Sequence, residues 1–271
     1  MMRALYTAAT GMIAQQSNVD NISNNLSNVN TVGYKEQKTE FKSLLYQTIQ
    51  TRTTSANGEE KPISAQVGLG TRVAANTSIY TQGSMIASEN STDFAISGDG
   101  FFAVRGADGE TYYTRAGNFT WAVNGNAVRL TTTDGYPVLD TNGNEITLPA
   151  GVSSGQVIVS SDGSFGYTTA NGTYVDMNRS FGIYQFNNPA GLEKEGQNLL
   201  AETPASGAPL NEATNNNVTR SKIYQNYLEG SNVQVADEMV NLIVAQRAYQ
   251  LNSKAITASD EMLEQANNLR R

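Results

Sequence analysis

The 271-residue chain has no cysteine and no histidine. Without histidine there is no Ser/His/Asp or Cys/His nucleophile pair and no imidazole metal ligand; without cysteine there is no thiolate zinc site and no disulfide framework. Any chemistry would rest on carboxylates, lysine, tyrosine or serine. Charge is scarce too, at 16% of residues against about 25% in an ordinary globular protein. The balance is acidic, with a net charge of −7, and no lysine/arginine run is present to grip nucleic acid or an anionic membrane surface by counterion release. No stretch approaches the roughly 18 continuous apolar residues of a membrane span. The amino terminus lacks a signal peptide's cationic start, greasy centre and small-residue cleavage site. These absences predict a protein with no nucleic-acid partner, no membrane insertion and no cleavable leader. Asn, Ser, Thr and Gly supply the polarity instead, which suits turns, exposed strands and amide contacts between protein surfaces.

The two ends of the chain share a period of seven. Leu5, Met12, Val19 and Leu26 recur at that spacing, with Ala8, Gln15, Ile22 and Val29 three places behind each. This is an a/d seam over four heptads, broken only by Gln15. A second stripe, Ala4, Thr7, Gly11, Ala14, Asn18, Asn21, Asn25 and Asn28, is small in its first half and carboxamide in its second. From Ala4 to Tyr34 the one charged side chain is Asp20. A solvated helix back normally carries Lys and Glu, so a polar but uncharged helix is expected to meet protein on more than one side. At the other end Val235, Leu242, Tyr249, Ile256 and Leu263 repeat every seven residues, widened by Met239, Ala245 and Ala266. Ser231 or Asn232 can cap that helix; Asp237 and Glu238 suit its positive end, Arg270 and Arg271 its negative end.

Between the ends the period changes to two. Thr71 to Tyr80, Phe94 to Val104, Tyr112 to Thr114, Phe119 to Val123, Gln156 to Ser160 and Phe181 to Phe186 read as strands. Asp99-Gly100, Asp108-Gly109, Asn124-Gly125, Asp134-Gly135, Asn142-Gly143, Asp162-Gly163 and Asn171-Gly172 punctuate them as hairpin turns. The predicted fold class is α+β: terminal helices pairing as a coiled-coil-like unit around an inserted antiparallel β domain. The boundaries are 1–34 and 231–271 for the helical assembly domain, 35–70 and 203–230 for connecting segments, and 71–202 for the β domain. Within the first connection, Phe41, Leu44, Leu45 and Ile49 fall at helical spacing.

No local pattern points to a catalytic, cofactor or metal site. Asp140, Asn142 and Asn144 imitate a calcium loop, but its glycine is fourth instead of sixth, and Gly151 stands where a bidentate Glu is required. Gly68-Leu69-Gly70 and Gly98-Asp99-Gly100 lack the further glycine and lysine of a phosphate cradle and precede strand pattern, not helix. The carboxylate supply still permits a secreted β-rich carbohydrate-active protein or adhesin with helical ends. The paired heptads and missing leader argue against it.

The run Ser23-Asn24-Asn25-Leu26-Ser27-Asn28-Val29-Asn30-Thr31-Val32-Gly33-Tyr34-Lys35 resembles the amino-terminal motif of the flagellar rod and hook family, with Ser27 where alanine is usual. The other end agrees: Ser231-Asn232-Val233, Glu238-Met239-Val240, Gln246-Arg247-Ala248-Tyr249 and Asn252-Ser253-Lys254-Ala255 are similar to its carboxyl-terminal pattern. Gly98-Asp99-Gly100-Phe101-Phe102 and Tyr113-Thr114-Arg115-Ala116-Gly117-Asn118-Phe119 resemble its core β motif. Leu44 to Ile49, leading to Val67-Gly68-Leu69-Gly70, and Asn188-Pro189-Ala190-Gly191-Leu192 resemble its distal rod branch, with proximal rod and hook paralogues as alternatives.

The resemblance implies a structural, non-enzymatic subunit without cofactor or metal. It would leave the cell through the flagellar type III export apparatus and polymerise helically, in the basal body, into the shaft that carries torque from motor to hook. Its partners would be copies of itself, other rod and hook proteins and a surrounding bushing ring, with terminal helices inside and the β domain outward. The expected assembly interface comprises Leu5, Met12, Val19, Ile22, Leu26 and Val29 with Asn18, Asn21, Asn25 and Asn28 at one end. At the other it comprises Val235, Met239, Leu242, Tyr249, Ile256 and Leu263. The heptad rows would pair the two ends, and the small/amide stripe would meet neighbouring subunits. Asn24, Asn25, Asn28, Thr31, Gly33, Tyr34, Gln246, Arg247 and Tyr249 carry the family motifs.

Overall fold

The computed structural model describes residues 2–50, 65–125, 127–149, 151–169, 173–215 and 217–268. The polar stretch 51–64, the turn expected at Asn171-Gly172 and the arginines 270 and 271 lie outside the described residues. The chain divides into two compact units. One holds Met1–Ser27, Gln37–Ser78 and Gln234–Arg271; the other holds Asn28–Glu36 and Ile79–Val233.

In the first unit, helix α1 spans Met2–Ser27 and helix α2 spans Val235–Asn268. At a rise of about 1.5 Å per residue α2 is a rod of roughly 50 Å. Helix α1 stops where asparagines accumulate, because a carboxamide competes with the helix for nearby backbone groups. The Thr31 N–H donates to the Asn28 carbonyl at 3.1 Å, and the Thr31 hydroxyl to the Asn28 side chain at 3.1 Å. Asn28 and Val29, expected as the last positions of the helical stripes, therefore lie beyond the helix. Neither expected cap serves α2. Ser231 Oγ accepts the Val233 N–H at 3.2 Å, and Asn232 accepts from the Glu36 N–H at 2.7 Å while donating to the Ile79 carbonyl at 2.9 Å. Asp237 and Glu238 do fall in the first turn of the helix.

The helical spacing between Phe41 and Ile49 does not produce a helix. Gln37–Ser43 and Tyr46–Gln50 are strands, paired antiparallel with Thr71–Ser78 and Ala65–Gly68 as a two-part ribbon. Four apolar residues in so short a run fit either period, and the strand pattern after Gly70 supplies the hydrogen-bonding partner. Residues 71–78 accordingly cluster with the helices, and residues 203–230 with the β unit.

The second unit is antiparallel throughout its described pairings. Its largest sheet has six strands in the order Glu193–Gly196, Leu199–Ala201, Thr111–Thr114, Phe101–Arg105, Ile183–Gln185 and Leu210–Asn211. Phe119–Asn124, Ala127–Thr132 and Thr147–Leu148 form a three-stranded sheet, and Val157–Val159, Ser164–Thr168 and Tyr174–Ser180 another. Two short pairs complete it, Phe94–Ser97 with Lys222–Gln225 and Met85–Ala87 with Tyr227–Glu229. Asp108-Gly109, Asn124-Gly125, Asp134-Gly135, Asn142-Gly143 and Asp162-Gly163 turn the chain between paired segments, with Gly163, at φ 86°, in a conformation that side chains resist. Asp99-Gly100 makes no hairpin, because Phe94–Ser97 pairs with Lys222–Gln225 and not with Phe101–Arg105. Alternation along the strands aims Phe94, Phe102, Phe119, Phe165 and Phe181 into one core, edge-on or tilted to one another at ring separations of 4.6 to 6.5 Å. Such pairs each add about 0.5–1.5 kcal/mol beyond area burial. This unit holds itself together by ordinary apolar packing.

Candidate assembly interface

Helices α1 and α2 run antiparallel, as two contacts fix: Asn25 meets Glu238, and Gly11 meets Asn252. Their fully buried positions are mostly small or polar. The buried positions of α1 are Ala8, Ala14, Asn21, Ile22 and Asn25; those of α2 are Glu238, Ala245 and Ser259. A methyl group added at Gly11 would stand 2.7 Å from Asn252 Nδ2, so the glycine lets the two helices approach closely.

Asn25 is only 1% exposed and ties three elements together. Its Nδ2 donates to the Gln37 carbonyl at 2.8 Å and to Glu238 Oε2 at 3.1 Å, and its Oδ1 accepts the Gln37 N–H at 3.0 Å. Asn21 donates to Thr39 Oγ1 at 2.9 Å. The stripe expected to meet neighbouring copies is thus turned inward at these two residues, because the ribbon offers their amides fixed partners. Asn18 is half-buried.

The seam residues are less enclosed than their heptad suggests. Leu5, Met12, Val19, Leu26, Leu242, Ile256 and Leu263 are half-buried, Ile22 is buried, and Val235, Met239 and Tyr249 are exposed. The opposite side of α2 carries Val240, Ile243, Val244, Leu251 and Met262, with Val244 and Leu251 62% and 66% exposed. On α1, Tyr6 and Ile13 are each 69% exposed. Large apolar side chains line the half-buried seam and also stand on the outer faces, while the fully buried positions are mostly alanine, serine and carboxamides.

In the β unit the family motif ends on a buried ion cluster. Gly33 adopts φ 70°, and a methyl there would sit 2.6 Å from the Ala116 nitrogen; only glycine fits. Its N–H donates to the Glu229 carbonyl at 2.8 Å, and Lys194 lies over the Tyr34 ring at 5.8 Å. Lys35 Nζ reaches Glu229 Oε1 at 2.6 Å and donates to the Thr81 carbonyl at 2.7 Å. Arg115 Nη1 stands 3.4 Å from Glu229 Oε2, its Nη2 donates to the Gly98 carbonyl at 2.6 Å, and its guanidinium lies over Phe101 at 5.2 Å. Burial lowers the pKa of both cations, and Glu229 opposes that shift in each. Lys35, Arg115 and Glu238 sit inside recognised motifs, but Glu229, Thr39 and Gln37 do not. The scarcity of charge is the signal that could have singled out Glu229.

The Asp140 loop is a turn. Asp140 Oδ1 accepts the N–H groups of Asn142 and Asn144 at 2.8 and 2.9 Å, and Arg179 flanks Oδ2 at 3.7 Å. No helix among the described residues is long and apolar enough to cross a membrane.

Terminal helices joined through small residues, apolar groups left on their outer faces and a self-contained β unit between them in sequence define a structural subunit of the discontinuous α+β kind. Three family profiles match: flagella basal body rod protein over residues 5–35, flagellar hook protein FlgE/F/G D1 domain over 95–167, and flagellar basal body rod FlgEFG protein C-terminal over 224–269. Flagellar basal-body rod protein FlgG of Borreliella burgdorferi is 44% identical, with all of both chains covered. The FlgG of Agrobacterium fabrum is 43% identical over 96% of this chain and 97% of its own, and that of Bacillus subtilis 38% identical over all of both. The chain belongs to the flagellar basal-body rod protein family and is a structural subunit of the flagellar rod.

Proposed function

We propose that the chain polymerises helically into the distal part of the rod, the shaft that transmits torque from motor to hook. Its neighbours are copies of itself and other rod and hook proteins. It reaches the basal body unfolded through the flagellar type III export apparatus and turns within a bushing ring. It performs no catalysis. Full-length similarity to rod proteins and the likeness of Leu44 to Gly70 to distal rod sequences support this placement.

One observation carries the assembly reading: the exposed apolar row Val240, Ile243, Val244, Leu251 and Met262 on α2. A helix that faces water keeps charged groups on that side. Enclosing an aliphatic side chain of this size contributes about 1.5–3 kcal/mol, so a row of five favours burial against protein. On the other side of α2 and along α1, the half-buried Leu5, Met12, Val19, Leu26, Leu242, Ile256 and Leu263 form a second apolar row, with the exposed Val235, Met239 and Tyr249 beside them. Torque then passes through many modest contacts in parallel.

Electron microscopy of the purified full chain at high concentration tests this, with helical tubes as the expected outcome. A preparation that stays monodisperse at all concentrations, or one that hydrolyses glycans, would overturn it.

A further inference from the structure

Beside the helix pair lies a groove of about 380 Å³, lined by Gln16 and Val19 of α1 and by Gln246, Tyr249 and Gln250 of α2. Its chemistry is specific: a valine and a tyrosine ring supply apolar surface, and three carboxamides surround them. None of the five is an acidic or basic residue. A fitting occupant is an uncharged side chain with a flat apolar body and one hydroxyl at its tip, since such a tip needs a hydrogen-bond partner once enclosed. Carboxamides both donate and accept, and a tyrosine satisfies every part of this description.

We propose that the groove receives Tyr6 of a second copy of this chain. Tyr6 is the one aromatic residue of α1 and is 69% exposed. Ile13, equally exposed, lies seven residues on and therefore on the same face, ready to pack beside the groove. No residue of α1 from Ala4 to Val19 is charged, so the incoming segment brings no ion, and on the groove's rim Arg247 Nη1 donates to Gln250 Oε1 at 3.4 Å. Knob and groove occupy different patches of one molecule. Between parallel copies the contact is head-to-tail and propagates; between antiparallel copies two reciprocal contacts would close a dimer, and only the parallel arrangement builds a rod. Along α1 the groove begins ten to thirteen residues after Tyr6, which sets a stagger between parallel copies of roughly 15–20 Å. The inference rests on the assembly reading above and specifies the contact that would drive it.

The absence of native cysteine makes disulfide trapping clean. Two full-length single-cysteine variants, Ala9→Cys and Gln250→Cys, are mixed, polymerised and oxidised; both leave Tyr6 in place. The expected product is a disulfide-linked dimer of the two different chains, absent when Ala9→Cys is mixed with Glu264→Cys. Adding Tyr6→Ala to the Ala9→Cys chain should lower the yield about tenfold, the scale of losing a buried interface anchor, whereas Tyr6→Phe should keep most of it. Tubes that form without the Ala9–Gln250 link overturn the groove and leave the assembly reading intact. The link without tubes supports the groove and removes the polymer, and neither link nor tubes overturns both.

Discussion

Glu229 is wholly buried between two cations, Lys35 Nζ at 2.6 Å and Arg115 Nη1 at 3.4 Å, with Gly83 N–H donating to its Oε1 at 3.0 Å. One carboxylate serves two positive charges, so its loss is not symmetrical with theirs. In Glu229→Gln, Lys35 and Arg115 remain buried with no anion in contact, a cost of about 3–5 kcal/mol. Lys35→Met should cost far less, because Arg115 still faces the carboxylate and methionine follows the lysine's apolar stem. Trp121, the one tryptophan, packs against the core of the β unit, so its fluorescence during urea unfolding reads this difference. Equal losses in the two variants would refute the charge argument. The pH dependence has a defined sign as well. Burial holds the Lys35 pKa below its ordinary 10.5 despite Glu229 and Asp99, so in the window beneath 10.5 the unfolded chain binds more protons than the folded one. Wild type should therefore gain stability relative to Lys35→Met as pH rises through that window and lose the gain as pH falls through the folded pKa.

At the scale of elements, Asn25 joins α1, the strand Gln37–Ser43 and α2. Asn25→Leu leaves the Gln37 N–H and carbonyl without that partner and takes one donor from the buried Glu238, a loss on the order of 3 kcal/mol. The helical circular-dichroism signal should then melt earlier while the Trp121 transition stays where it was. A helical transition unchanged by the substitution would show that the three elements do not depend on this amide. The same residue marks what the sequence revealed and what it hid. A period of seven located both helices, and a period of two with Asp-Gly turns located the β unit, because both signals are local. The heptad seam is buried or half-buried along both helices except at Val235, Met239, Tyr249 and Ala266, so its period did mark an inward row. What was not legible is that the second stripe turns inward too: Asn21 and Asn25 find partners on a ribbon that is distant in sequence. The ribbon escaped for the same reason: Phe41 to Ile49 acquires its strand conformation from residues 65–78, outside any local window.

Across the whole molecule, the two units differ in how much apolar surface they enclose. The β unit buries five phenylalanines in one core, whereas the described helices bury mainly alanine, serine, carboxamides and one glutamate, with Ile22 the one large aliphatic among their fully buried residues. Burial stabilises at about 25 cal/mol per Å² of apolar area, so alanine contributes a fraction of what phenylalanine does. Local opening should follow that difference. In dilute monomer, amides of α1 and α2 should exchange with solvent much faster than those of Phe94–Ser97 and Phe101–Arg105. In concentrated, polymerised protein the helical amides should slow by several orders of magnitude while the strands change little, since binding stabilises the conformation it selects. Hydrogen exchange measured at both concentrations checks this. Helices already as protected as the strands in the monomer would mean that their small, polar interior suffices alone. The exposed row on α2 would then need another explanation than the neighbour it is proposed to meet.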